Sequence, residues 1–315
     1  MPEFLTLIPP KDALNLLLSH LPVHPVSEQV NTHQALNRVT LSPIRAPHPL
    51  PEFQRTTVDG YAVRAMDTYG ASESLPAYLS LVGEVPMGGA PNFGLGSAQC
   101  ALIHTGGMVP KGADAIVMVE YTQHARENEV EIMRSVAVGE NILKIGEDVH
   151  TGEEVIPAGT RLRPAEIGGL MALGITNIEA ARPPKVGIIS SGDEVIPPEQ
   201  RPTPGQVRDV NAYTLSALVE TAGGLPVHYG IIPDTQDAML AAASKAKIEC
   251  DVVVITAGSS ASARDLTSIV IGQLGDPGIL VHGVNVRPGK PTILAVCDGT
   301  AAVASAENAP AAGNG

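Results

Sequence analysis

From residue 185 onward the chain alternates strand-like and helix-like runs, and no other feature restricts its fold as much. Val186-Gly187-Ile188-Ile189 is an apolar run, 212–221 carries helical periodicity, 226–231 reads as a strand, 235–246 as a helix, and Asp251-Val252-Val253-Val254-Ile255 as a third strand. Strands joined by helix-length crossovers pair in parallel and take helices on their faces. The spacing therefore predicts a three-layer α/β domain with a mostly parallel sheet over 181–297. Ligands of such sheets bind beyond the carboxyl ends of the strands. Ser190-Ser191-Gly192-Asp193-Glu194 follows the first strand, and Thr256-Ala257-Gly258-Ser259-Ser260-Ala261-Ser262-Ala263-Arg264-Asp265 follows the third. Small and hydroxyl-bearing residues leave backbone N–H groups for an anion, and the acids can hold a divalent cation beside it. Helix capping is the other reading of either loop.

The first half of the chain has a different texture. Pro10-Lys11-Asp12 precedes Ala13, Leu14, Leu17 and Leu18 at helical spacing, 34–39 reads as a second short helix, and 164–173 as a helix starting after proline that rejoins them. These segments define a helical/linker domain over 1–45 with 139–180. Between them, short β-like runs alternate with turn chemistry such as Pro86-Met87-Gly88-Gly89 and Pro110-Lys111-Gly112-Ala113-Asp114. With 32 Gly and 27 Pro against three Phe, six Tyr and no Trp, this region reads as a β-rich, barrel-like insert over 46–138. The fold class is multidomain α/β plus β.

A formal net charge of −13 argues against nucleic acid or an anionic membrane as the main partner, since both need clustered cations. No apolar run is long enough to span a bilayer, and residues 1–11 carry prolines and an early acid rather than the layout of a signal peptide. Cys100, Cys250 and Cys297 are too scattered for a disulfide framework or a zinc site, so a cytoplasmic setting is expected. There is no Walker A loop and no Gly-x-Ser-x-Gly elbow, and Gly94-Leu95-Gly96 lacks the third glycine of a dinucleotide fingerprint. His24, His124, His150 and His282 have no ligand spacing.

Two segments stand out as chemical. In Phe53-Gln54-Arg55-Thr56-Thr57-Val58-Asp59-Gly60-Tyr61-Ala62-Val63-Arg64, Asp59 precedes a glycine on a turn. Tyr61 and Val63 are placed to anchor the following strand inward and leave the acid outward, although Asp-Gly alone is also a common hairpin turn. Val286-Arg287-Pro288-Gly289-Lys290-Pro291 sets two cations on a proline-stiffened turn, suited to phosphate or oxyanion contact.

The order of these motifs carries a resemblance. The segment 53–64, then Thr105-Gly106-Gly107-Met108-Val109-Pro110-Lys111-Gly112-Ala113-Asp114-Ala115-Ile116-Val117-Met118-Val119-Glu120, then Gly139-Glu140-Asn141-Ile142 with Gly146-Glu147-Asp148-Val149, then Ser191-Gly192-Asp193-Glu194-Val195, then Asp265 and 287–291, resembles the molybdopterin molybdenumtransferase family over 10–297. That family is related to the corresponding domain of gephyrin. The resemblance implies a Mg2+-dependent transferase that inserts molybdate into adenylylated molybdopterin and releases AMP. It also implies a homodimer, and molybdopterin adenylyltransferase as upstream partner. Carried over by motif, Asp59, Thr105, Glu194 and Asp265 are the catalytic residues. Ser191, Gly192, Asp234, Ser259, Ser260, Arg287 and Lys290 bind substrate, and Glu194 and Asp265 hold the metal.

Three departures accompany it. Arg287 stands where a lysine is common, which replaces a point donor by a planar fork. The loop 257–265 has fewer glycines than the family pattern. After a strand-like stretch at 292–296 the family's Gly-Leu-Pro-Gly-Asn-Pro-type loop and C-terminal β-domain do not follow, and 298–315 reads as a disordered tail rich in alanine. The sequence thus predicts a truncated or split member; the alternative is a non-catalytic molybdopterin-binding or scaffolding module that has lost turnover.

Overall fold

In the computed structural model, which describes residues 6–256, 261–287 and 289–305 and, among these, all side chains but those of 261–265, the chain enters on helix α1 (Pro10–His20). Pro10 occupies the first turn, where a missing N–H costs nothing, and Asp12 faces the positive end of the helix dipole. Ala13 packs in a cluster with Val281 and Val284, flanked by Ile8 and Leu294. Ile8 also pairs with Val284 as a parallel bridge. The helix therefore covers strands near residue 280, and does not join the helical/linker segments with which 1–45 was grouped. Its narrow buried stripe, Ala13 and Leu17, fits the flat surface of a sheet.

Contacts divide the chain into two units: Asn31–Leu36 with Ser42–Ile178, and Met1–Val30 with Asn37–Leu41 and Glu179–Gly315. The expected helix at 34–39 is instead a 3-10 turn, Thr32–Gln34, which ends before Asn37 in left-handed backbone (φ 65°). In the first unit, six strands β1 (Gly60–Val63), β2 (Ala77–Glu84), β3 (Gln99–Ile103), β4 (Ala115–Met118), β5 (Thr122–Arg126) and β6 (Glu129–Ile132) form a sheet in the order β4-β1-β3-β2-β6-β5. All neighbours are antiparallel except β2 and β3. The two ends of that order, β4 and β5, are joined only by the turn Val119–Tyr121. A flat sheet would hold them about 24 Å apart, five spacings of ~4.8 Å, whereas four residue steps reach at most ~14 Å. The sheet must curl, which gives the insert its barrel-like character without a ladder closing it among the described residues.

The sheet is dry on both faces where β4, β1 and β3 lie side by side. Tyr61, Val63, Leu79, Val117 and Val130 fill one side, and Ala62, Val85, Ile103 and Ile116 the other. Gly60 is needed where it stands, because a Cβ there would lie 2.0 Å from the Val117 carbonyl oxygen. The close approach is to a neighbouring strand. Helix α2 (Pro164–Ala172) completes the unit; Arg163 N–H donates to Glu166 in a capping box, and the Arg163 side chain holds the Glu166 carboxyl down to about 2.

The second unit contains β7 (Lys185–Ser191), helix α3 (Asn211–Ala222), β8 (Leu225–Ile232), helix α4 (Gln236–Glu249), β9 (Val252–Thr256), helix α5 (Ala261–Gly272), β10 (Pro277–His282), β11 (Ile293–Cys297) and β12 (Thr300–Ser305). The sheet order is β8-β7-β9-β12-β11-β10, parallel across β8, β7, β9 and β12, with β11 antiparallel to both its neighbours. Alternation sends Ile189, Val253 and Ile255 towards α4 and α5, where Met239, Ala243 and Ile271 are fully buried. Val186, Ile188 and Val254 face α3. The three layers are thus α1 and α3, the sheet, and α4 and α5. Each large side chain buried between them contributes about 1.5–3 kcal/mol.

The tail is corrected in part. Residues 300–305, expected to be disordered, form β12 in the interior of the sheet, and only 306–315 lie outside the described residues. Asp298 (φ 51°) and Gly299 (φ 88°) supply the two left-handed positions of a tight hairpin from β11. Ala302 and Ala304 then pack into the main core, where small side chains suffice between flanking strands.

Candidate functional site

In the α/β unit, the carboxyl ends of β7 and β8 bring Ser191, Gly192, Glu194 and Asp234 together. Gly192 has φ 137°, and a Cβ on it would meet Val195 at 2.8 Å and Glu194 Oε2 at 2.9 Å. Glycine thus lets the Glu194 carboxylate fold over the turn. The backbone N–H of Asp234 donates to Asp193 Oδ1 at 3.4 Å, which ties the two loops. Ser191 Oγ and Asp234 Oδ1 are buried, and neither makes a hydrogen bond of normal geometry among the described residues. Burial pushes the Asp234 carboxyl above its ordinary range, the nearby Ser191 hydroxyl opposes this, and the Asp193 and Glu194 charges reinforce it. Three acids, one of them Asp234 with a buried oxygen beside Ser191 Oγ, thus meet at the ends of β7 and β8, a donor set suited to a cation or a donor-bearing ligand.

Asp209 belongs with them, although sequence reasoning did not single it out. Its buried carboxylate accepts from Ser190 Oγ at 2.6 Å and from the backbone N–H of Ala212 at 3.0 Å, so it fixes β7 to the start of α3. The acid three residues ahead of Ala212, at the mouth of a helical run, is a capping signal that was legible. A cavity of about 490 Å³ opens on this face of β7, lined in part by Ser190, Asp209, Tyr213, His228, Pro197 and Pro198. Its volume is in the range of small-molecule sites. Strand alternation puts it on the side of β7 opposite Ser191.

The remaining expected residues of this unit divide. Ser259 and Ser260 lie outside the described residues; Asp265 is on α5, but its side chain lies outside them too. Arg287 and Lys290 are exposed on the loop between β10 and β11, and neither has an ion-pair partner among the described residues. Gly289 turns that loop at φ 105°, and its carbonyl accepts from Thr292 Oγ1 at 2.7 Å.

In the β unit, Asp59 sits just before β1 with its side chain 61% exposed, outward as expected, while Tyr61 and Val63 are buried. Asp59 Oδ1 accepts the Thr105 backbone N–H at 2.7 Å and the Thr105 hydroxyl at 2.9 Å. The backbone donor first and the hydroxyl second hold the Asp59 carboxyl below its usual range. A residue that sequence reasoning passed over completes the group: His104 Nδ1 is 4.0 Å from Asp59 Oδ1, and its Nε2 is 3.0 Å from Glu84 Oε1.

Among the described residues no three His, Cys, Asp or Glu side chains cluster tightly enough to enclose a metal ion. Mg2+ is suited to a sparser arrangement, since it keeps waters and takes one or two carboxylates with substrate phosphates. The unsatisfied Asp234 oxygen beside Glu194 fits that donor chemistry. A test follows from the sign of the Asp234 shift. The folded chain holds this proton more tightly than an unfolded one, so stability from this group declines as pH rises from the ordinary aspartate value through the raised one. A bound divalent cation competes with the proton. In a 13C-carboxyl titration by NMR, millimolar Mg2+ should move the Asp234 midpoint downward; an unmoved midpoint would remove Asp234 from any cation site.

Comparison with known proteins gives two family matches. The family model "MoeA N-terminal region (domain I and II)" matches residues 8–174, and "Probable molybdopterin binding domain" matches 187–308. A molybdopterin molybdenumtransferase of Nostoc is 33% identical over 90% of this chain and 66% of its own length, and that of Bacillus subtilis is 35% identical over 85% and 63%. The chain thus spans about two thirds of the length of these curated relatives. A crystal structure titled as a molybdopterin biosynthesis moeA protein from Pyrococcus horikoshii superposes with TM-score 0.81 at 34% identity, over 95% of this chain and 74% of that one. Among the described residues no helix is long and apolar enough to cross a membrane.

Proposed function

Because the chain belongs to the MoeA family, which includes the molybdopterin molybdenumtransferases it resembles, we propose that it acts in molybdenum cofactor synthesis as such a transferase, accepting adenylylated molybdopterin and molybdate and releasing AMP. The observation that supports this reading best is the cluster at the ends of β7 and β8: Ser191 Oγ and Asp234 Oδ1, close together and buried without a well-formed hydrogen bond among the described residues, beside Glu194. A phosphoanhydride-bearing substrate with its cation would satisfy both.

Each residue has a part in this reading. Gly192 allows the backbone to approach the substrate, and Ser191, with Ser259 and Ser260, supplies hydroxyl and N–H donors to it. Arg287 and Lys290 neutralise its phosphates or the incoming molybdate. Glu194, with Asp265, holds Mg2+, which when bound polarises the phosphoanhydride. Asp234 orients the substrate from the neighbouring loop. Asp59, kept ionised by Thr105, offers its second carboxylate oxygen to the reacting group. The protein works in the cytoplasm as a homodimer, and receives its substrate from a molybdopterin adenylyltransferase.

The deciding measurement is AMP release by this chain from adenylylated molybdopterin with molybdate and Mg2+. Release that needs both additions supports the transferase. Binding of the molybdopterin without release above background would instead favour the non-catalytic module.

A further inference from the structure

Three strands of the β unit end side by side. In the order β1-β3-β2, β1 begins at Gly60 opposite Ile103, the last residue of the antiparallel β3, while Glu84 closes the parallel β2 beside Leu102. The topology therefore delivers Asp59, His104 and Glu84 to one edge of the sheet, each from a different strand. That placement is a product of register and does not depend on loop conformation. The side chains use it: His104 Nε2 contacts Glu84 Oε1 at 3.0 Å, and Nδ1 faces Asp59 Oδ1 at 4.0 Å.

The imidazole can serve Asp59 in only one of its forms. Glu84 accepts from Nε2, so a neutral ring turns the bare lone pair of Nδ1 towards the Asp59 carboxylate. A protonated ring turns an N–H towards it. Oδ1 then has a third favourable neighbour beyond the Thr105 N–H and hydroxyl, and Oδ2 is left without a protein partner among the described residues. Asp59 and Glu84 are the charged groups that face the ring: one stands before β1, the other on β2, the two strands flanking β3.

We propose that His104 is a positioning residue, anchored by Glu84, that sets the orientation of the Asp59 carboxylate and the charge beside it according to its own protonation. This rests on the reading of Asp59 as part of the reaction machinery. His104 touches no reacting group; it acts through the carboxylate beside it.

The test uses the full chain and two variants, His104→Gln and Glu84→Gln. Glutamine at 104 keeps a donor for Glu84 but does not titrate. In the parent chain, the 13C-carboxyl signal of Asp59 should show a second inflection where the imidazole titrates, and the pH profile of AMP release should carry the same inflection. His104→Gln should remove both and lower kcat about two- to fivefold, the size of one exposed charge pair, with KM little changed. Glu84→Gln should weaken both without abolishing them. If the Asp59 signal is the same in the parent and His104→Gln, the proposal is overturned. If the NMR inflection is present and lost with His104 but the parent releases no AMP, the coupling stands and the transferase reading fails.

Discussion

Asp59→Asn lowers AMP release by about 10²- to 10⁴-fold while the β unit stays folded, the range associated with loss of a positioned proton-transferring or charge-bearing group. The separation of activity from stability follows from geometry. The side-chain contacts of Asp59 within the fold run through Oδ1, which accepts twice from Thr105, and an asparagine oxygen in the same place still accepts both, though more weakly than a carboxylate. What asparagine lacks is the negative charge on an outward, 61% exposed group. Single-turnover AMP release and thermal unfolding, measured on the same preparation, give both halves. A loss below tenfold would remove Asp59 from the chemistry, and a large fall in Tm would make it a structural residue.

Gly60→Ala should unfold the β unit or come close to it, with a cost of about 4 kcal/mol or more. The alanine Cβ would stand 2.0 Å from the Val117 carbonyl oxygen and 2.9 Å from its carbon. Relief by side-chain movement is impossible, because the obstacle is backbone. Relief by strand movement breaks the β1–β4 ladder, in which Gly60 pairs with Met118 and Tyr61 with Val117. Both neighbours of the ladder are in the dry core, so the strain cannot be shed into solvent. Urea unfolding, with hydrogen exchange of 60–63 and 115–118, measures the effect. A change under 1 kcal/mol would mean that the strands are farther apart than described.

What the sequence disclosed depended on how local its signal was. The strands β7 and β9 carry compact apolar runs rich in β-branched residues and buried on both faces, and small residues follow them, so both could be read directly. The packing of α1 could not: Ala13 and Leu17 announce a buried stripe but not which partner, nearly 270 residues away, will cover it. For β12 the signal was present but faint. Asp298-Gly299 between Val296-Cys297 and Ala301-Ala302 is a hairpin pattern, yet alanine-rich strands look like linkers when their burial comes from neighbours. The site shows the same division. Asp59, Ser191 and Asp234 were legible from motif order. His104 was not, because a lone histidine becomes meaningful only once register sets Glu84 and Asp59 on either side of it.

The place of β12 has a consequence for how the chain is made. The strand lies between β9 and β11 although it is the last to leave the ribosome among those described. Until residues 300–305 emerge, β9 has an unpaired edge, and β10 and β11, which α1 covers, have no strand joining them to it. The β unit, complete by residue 178, is under no such delay. Synthesis thus imposes an order: the segment bearing Asp59 is made early, while the sheet bearing Ser191 and Asp234 waits on the β11–β12 hairpin and exposes a sticky edge in the interval. The demand for chaperone protection in this protein falls on its second unit, in the interval between the emergence of β9 and that of β12.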